Sequence, residues 1–166
     1  TSYFNVTDQI YHEPRLAANF NVTEKLMLKA ATGKYYQFAN RITREDILSG
    51  SKDFWVLSDG KKVPVSSSNH YIAGISYETK NYLFSMEGYY KQLSDLTEYS
   101  LRFNSNREGV SYNESFYKGS GISKGIEWMA QRKYGKVTGW VSYALGKAEN
   151  KFDVYSKEYY AANQDV

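Results

Sequence analysis

Cysteine is absent from this 166-residue chain, and proline and histidine occur only twice each. Without thiols there is no disulfide framework, no thiolate nucleophile and no zinc–thiolate site. No apolar run approaches the roughly 18 residues that a membrane-spanning helix needs. Charge of one sign is nowhere concentrated: 21 basic and 18 acidic residues give a net charge of +3, too balanced for a nucleic-acid-binding surface. The start, Thr1-Ser-Tyr-Phe4, has neither an initiating Met nor a basic-then-apolar leader, as expected of a processed chain or a fragment. Catalytic patterns are also missing. The serines form no Gly-x-Ser-x-Gly elbow, and Gly119-Ser-Gly121 lacks the rest of a phosphate-cradling loop. His12 and His70 read as isolated polar histidines rather than a metal pair. No enzymatic activity, cofactor or metal is therefore expected.

What is abundant is tyrosine, 17 residues of it, within an aromatic content of 17%. Three pairs of alternating strands are predicted: 15–22 with 26–36, 71–77 with 82–91, and 122–132 with 137–147. Their tight turns fall near Glu24, Lys80 and Gly135, about 55 residues apart. Between the pairs run long polar connections, at about 37–69, 94–121 and from 148 to 166, the last without a returning strand. Soluble sandwiches have short loops at both ends of a sheet. Outer-membrane barrels combine short periplasmic turns with long extracellular loops.

Alternate strand residues face opposite sides of a sheet, so parity sorts the side chains. One parity collects Leu28, Tyr71, Ile75, Tyr77, Tyr82, Phe84, Tyr90, Trp128, Val141 and Tyr143. The other collects Lys29, Glu87, Lys91, Glu127 and Gln131. Tyrosines flank smaller or aliphatic centres on the apolar parity, the arrangement of a lipid-facing band with aromatic girdles. Lys124 and Arg132 share that parity near strand ends, where a charge reaches headgroups. The polar parity is then lumen-facing, with Glu87 and Glu127 in a charge network with Lys29 and Lys91. Trp140, on the polar side, is a misfit.

In the first connection, Thr43-Arg-Glu-Asp46 resembles a capping box that opens a short helix over 44–48, ended by Gly50. Ser58-Asp-Gly60 reads as a tight turn and 63–65 as a short extended piece. Asp53, Trp55 and Asp59, in this loop, are the candidate substrate contacts.

Three segments resemble the barrels of TonB-dependent outer-membrane receptors. They are Glu13-Pro-Arg-Leu-Ala-Ala-Asn-Phe20 running on to Tyr36, Ile42-Thr-Arg-Glu-Asp46 through Asp53-Phe-Trp55 to His70-Tyr-Ile-Ala-Gly74, and Ser123-Lys-Gly-Ile-Glu127 with Lys136 to Leu145. Their order fits the later part of such a barrel. The resemblance implies a barrel of about 22 strands with an N-terminal plug, in the bacterial outer membrane, importing a scarce nutrient with energy passed on by TonB. The ligand would be a ferric siderophore, a cobalamin-like compound or an oligosaccharide. About six strands leave two open edges, which lipid does not tolerate. The expectation is an all-β chain of antiparallel up-and-down hairpins, residues 1–166 forming an incomplete segment of a transmembrane β-barrel. Its partners would be outer-membrane lipid and, through the full-length protein, the plug and TonB, with no nucleic acid. The main alternative is a soluble or surface-tethered all-β module, an adhesin recognising carbohydrate, with its apolar face buried against protein. A barrel with enzymatic activity would need a catalytic set outside this segment.

Overall fold

The computed structural model describes residues 1–46, 50–99, 116–154 and 156–162. The chain is all-β, with no helix among these residues. Its main sheet holds seven strands: β3 (Arg15–Asn21), β4 (Leu26–Gln37), β7 (Ser66–Glu78), β8 (Tyr82–Tyr99), β9 (Phe116–Arg132), β10 (Gly139–Phe152) and β11 (Tyr160–Ala161). Every neighbour pair is antiparallel, and the strands follow one another across the sheet in chain order. Two hairpins stand apart: β1 (Ser2–Phe4) with β2 (Gln9–Tyr11), and β5 (Ala39–Asp46) with β6 (Gly50–Leu57).

The three predicted hairpins are present, and two of their short turns use one device. Thr23 Oγ1 accepts from the backbone N–H of Leu26 at 3.0 Å, and Thr79 Oγ1 accepts from that of Tyr82 at 3.0 Å. A threonine hydroxyl three residues before the strand thus closes each reversal. Gly135, at φ 125°, serves the third turn. Successive turns are joined by backbone bonds: Glu78 N–H donates to Lys25 C=O, and Lys133 N–H to Asn81 C=O, both at 2.7 Å.

The strands run further than the sequence pattern implies. β7 starts at Ser66, β8 continues to Tyr99, β9 starts at Phe116 and β10 continues to Phe152, so the supposed loops begin as ordered sheet. A bulge between Leu93 and Leu96 adjusts the register of β8, with Asp95 at φ 57°. Asp tolerates that left-handed conformation better than most residues, and Ser66 Oγ donates to the Asp95 carbonyl at 2.8 Å. The third connection does return, because β11 pairs with Glu149 and Asn150 of β10.

The helix expected over 44–48 is overturned: β5 is strand through Asp46, paired to β6 from Ala39↔Leu57 to Asp46↔Gly50. Residues 47 and 48 lie outside the described residues. A helix of one turn pays the nucleation cost for almost no propagation, whereas a strand beside β6 gains a full ladder. The expected extended piece at 63–65 is not a strand; Val63 is instead a buried anchor.

Among the described residues, burial is concentrated at the long-loop end, where Ile42, Val63 and Phe152 are buried. Phe152 sits on its cross-strand partner Gly119, where a Cβ would lie 2.5 Å from the ring, and Leu96 reaches Gly121. The Gly119-Ser-Gly121 stretch is thus a seat for two apolar side chains. The total accessible surface is 12219 Å², against about 8,400 Å² expected of a soluble monomer of this mass.

Candidate functional site

One face of the sheet, referred to as outer, carries the apolar parity as continuous rows. Strand register places Phe20, Leu28, Ile75, Met86, Trp128 and Tyr143 in one row across β3, β4, β7, β8, β9 and β10. A second row holds Leu26, Tyr77, Phe84, Ala130 and Val141, and a third Ala18, Ala30, Ala73, Gly88, Ile126 and Leu145. All ten residues assigned to the apolar parity lie on this face. Phe84 is 47% exposed and Val141 55%, where a soluble core would leave almost nothing.

Tyrosines bound the band. Tyr71 and Tyr90 are register partners with ring centroids 6.4 Å apart. Toward the short turns, Tyr77 pairs with Phe84, and Tyr82 stacks on Phe84 at 6.1 Å. From Tyr82 to Tyr90 the strand rises about 27 Å, or about 20 Å along the normal of a bilayer at the usual strand tilt.

The opposite face, referred to as inner, carries Arg15, Lys29, Glu87, Lys91 and Glu127. Asn19, Lys29, Gly74, Glu87, Glu127 and Ala144 form one row. Glu87 and Glu127 are therefore direct cross-strand partners, and Lys29 lies across Gly74 from Glu87. Gln131 pairs with Leu83 and, on its other side, with Trp140. Lys91 belongs to a row containing Arg15, Gly33, His70 and Ser123.

Around that row is an aromatic and basic cluster that sequence reading missed apart from Lys91. The Arg15 guanidinium lies 4.4 Å over the Tyr35 ring, and Tyr35 packs on His70 at 4.5 Å. Ser68 Oγ and His70 Nε2 are 3.0 Å apart, and Lys91 Nζ lies 5.0 Å over Tyr89. Glu13 approaches Arg15 at 3.6 Å. Gly33 makes room for the stack, since a Cβ there would meet Tyr35 and the Arg15 stem at 3.0–3.2 Å.

The β5–β6 hairpin separates two of the candidate contacts from the third. Trp55 pairs with Arg41 and is 70% exposed. Asp53, on the same side of β6, forms an ion pair with Arg41, whose Nε donates to Oδ2 at 3.0 Å. The other side of the hairpin faces inward through Ile42 and Phe54, the latter edge-on to Tyr99 at 6.0 Å. Asp59 belongs to the following turn. Its Oδ1 accepts the backbone N–H of Lys61 at 2.8 Å and of Val63 at 2.9 Å, with Gly60 at φ 72°. Partial burial pushes the Asp59 carboxyl up, but the N–H groups of Lys61, Val63 and Lys62 outweigh it and hold the pKa below the usual carboxylate value. The turn predicted at Ser58-Asp-Gly60 is therefore real, and it uses Asp59 for itself.

His12 Nδ1 lies 3.4 Å from Thr1 Oγ1, and no group of three or more metal-ligating side chains gathers among the described residues. Comparison with known protein families, curated proteins and solved structures finds no match.

Proposed function

We propose that this chain is a segment of the barrel of a TonB-dependent outer-membrane transporter that binds and imports a nutrient such as a ferric siderophore, a cobalamin-like compound or an oligosaccharide. The observation that carries the reading is the outer face: apolar rows in register across β3, β4, β7, β8, β9 and β10, bounded by tyrosines and left open to solvent. A face of this size has to be covered by something other than the described chain, and lipid suits its aromatic edges.

In this reading the β5–β6 hairpin rises from the long-loop end, presenting Trp55 and the Arg41–Asp53 pair where an incoming ligand first arrives. The inner face, with Arg15, His70, Lys91, Lys29 and the Glu87–Glu127 pair, lines the passage beside the plug. Binding is non-covalent and the energy comes from TonB. The sheet itself, with seven strands, is short of the eight of the smallest membrane barrels, so further strands of the full-length protein close it.

Topology is the decisive test. Single cysteines at Lys61, beside the left-handed Gly60, and at Lys80, in a short turn, are placed in a cysteine-free full-length protein. A bulky impermeant maleimide should label position 61 but not 80 in intact cells, and both after lysis. Equal labelling of both in intact cells would defeat the transporter reading and favour the carbohydrate-binding adhesin.

A further inference from the structure

We infer that Lys124 and Lys147 form a site for the phosphate of a net-anionic lipid headgroup, an inference that rests on the outer face meeting lipid. The two lysines are direct cross-strand partners on β9 and β10, and both are exposed. They share the outer face with the next row of the band, Ile126 and Leu145, also direct partners. Like charges placed opposite one another on a sheet repel, so the pair calls for a counter-anion. Glu149 supplies part of one, 2.7 Å from Lys147 Nζ. Lys124 has no carboxylate partner among the described residues.

Position identifies the missing anion. Lys124 pairs on its other side with Tyr90, which belongs to the aromatic edge of the band at the long-loop end. That edge is where a headgroup lies when acyl chains cover the rows below. Lys124, Lys147, Ile126 and Leu145, with Tyr89, Gly125 and Gly146, line a shallow groove of about 430 Å³. A phosphate between the ammonium groups would leave its acyl chain against Ile126 and Leu145. One lipid thus meets charge and apolar surface in their natural order. A soluble anion would use the lysines and leave the apolar row uncovered.

The test uses the cysteine-free full-length protein with a bimane fluorophore on Tyr143→Cys, an exposed outer-face position, in bilayers that mix phosphatidylcholine and phosphatidylglycerol. Lipids brominated on the acyl chain quench the fluorophore when they occupy this face. With both lysines present, brominated phosphatidylglycerol should compete about fivefold better than brominated phosphatidylcholine. The preference should fall to near unity in Lys124→Gln/Lys147→Gln and persist in Lys124→Arg/Lys147→Arg. Equal competition with both lysines present, or a preference that survives the Gln pair, overturns the phosphate site while leaving lipid contact intact. No quenching by either lipid overturns the lipid-facing reading and this inference with it. A preference erased by excess inorganic phosphate at matched ionic strength assigns the site to free phosphate and overturns the lipid assignment.

Discussion

The Tyr89 ring lies over its cross-strand partner Gly125: a Cβ at Gly125 would meet the ring carbon Cζ and the hydroxyl oxygen, each at 2.7 Å. The same hydroxyl reaches Gly146 on the next strand. An aromatic side chain laid across two glycines covers backbone that those residues leave bare, and ties β8, β9 and β10 together on the inner face. Gly125→Ala should therefore destabilise the folded protein by about 1–3 kcal/mol, read from thermal or urea unfolding in detergent. In a Tyr89→Ala background the cost should shrink without vanishing, because the Leu145 carbonyl oxygen is also within 2.6 Å of the added carbon.

Depth along the band gives a second prediction. Ile75 lies in the row of Met86 and Trp128, midway between the tyrosine edges, whereas Thr32 lies in the row of Tyr71 and Tyr90. Ile75→Arg should cost roughly 2–4 kcal/mol in a bilayer and Thr32→Arg about 0–1 kcal/mol. Equal costs at the two depths would contradict a lipid-facing band.

The Glu87–Glu127 pair sets two carboxylates directly opposite one another. Glu127→Gln removes the repulsion and keeps the shape, so the variant should be more stable at neutral pH by roughly 0.2–1 kcal/mol. Unfolding by urea at neutral pH measures it; a loss of stability would mean that Glu127 holds a cation or a partner in the full-length protein.

On the β5–β6 hairpin, adjacent faces should respond differently. Trp55→Ala removes an exposed ring and should move stability by less than about 0.5 kcal/mol. Ile42 is buried, and Ile42→Ala should cost about 2–5 kcal/mol of local stability. Proteolytic susceptibility of the hairpin separates the two. If ligand meets this face, Trp55→Ala weakens uptake while leaving folding intact.

Acid should loosen the turn after β6. A carboxyl whose folded pKa is depressed contributes stability above its unfolded value of about 3.9, and that contribution is lost as pH falls through the folded pKa. Asp59 is such a group. Hydrogen exchange at the Lys61 and Val63 amides, corrected for intrinsic rate, should show protection at neutral pH that falls away below pH of about 4. In Asp59→Ala the protection should already be low at neutral pH.

Alternation is what made the band legible. Tyr71, Ala73, Ile75 and Tyr77 announce a strand because one side is apolar and the other is not, and their faces emerged as read. Beyond the band both sides of a strand are polar or locally packed, and no period survives. Ser94 to Tyr99 and Phe116 to Gly121 were therefore read as loop. The capping pattern at Thr43 is a local signal, and pairing with β6 overrides it. The Arg15, Tyr35 and His70 stack draws on three strands, and only the register of β3, β4 and β7 brings its members together. Gly33, Gly119 and Gly125 owe their places to side chains lying over them, a reason invisible until their partners are known.

The placement of the buried residues divides how the chain should come apart. Ile42, Val63 and Phe152 are each buried at the long-loop end, beyond the tyrosine edge, while the described strands between the tyrosines have no buried apolar centre of their own. Warming should then loosen the long-loop end, where apolar side chains are withdrawn from water, separately from the sheet, which is held by its backbone ladder. If the chain is the transporter segment proposed above, its receiving end and its wall are two cooperative units of different stability, the first free to loosen and re-form while the second holds.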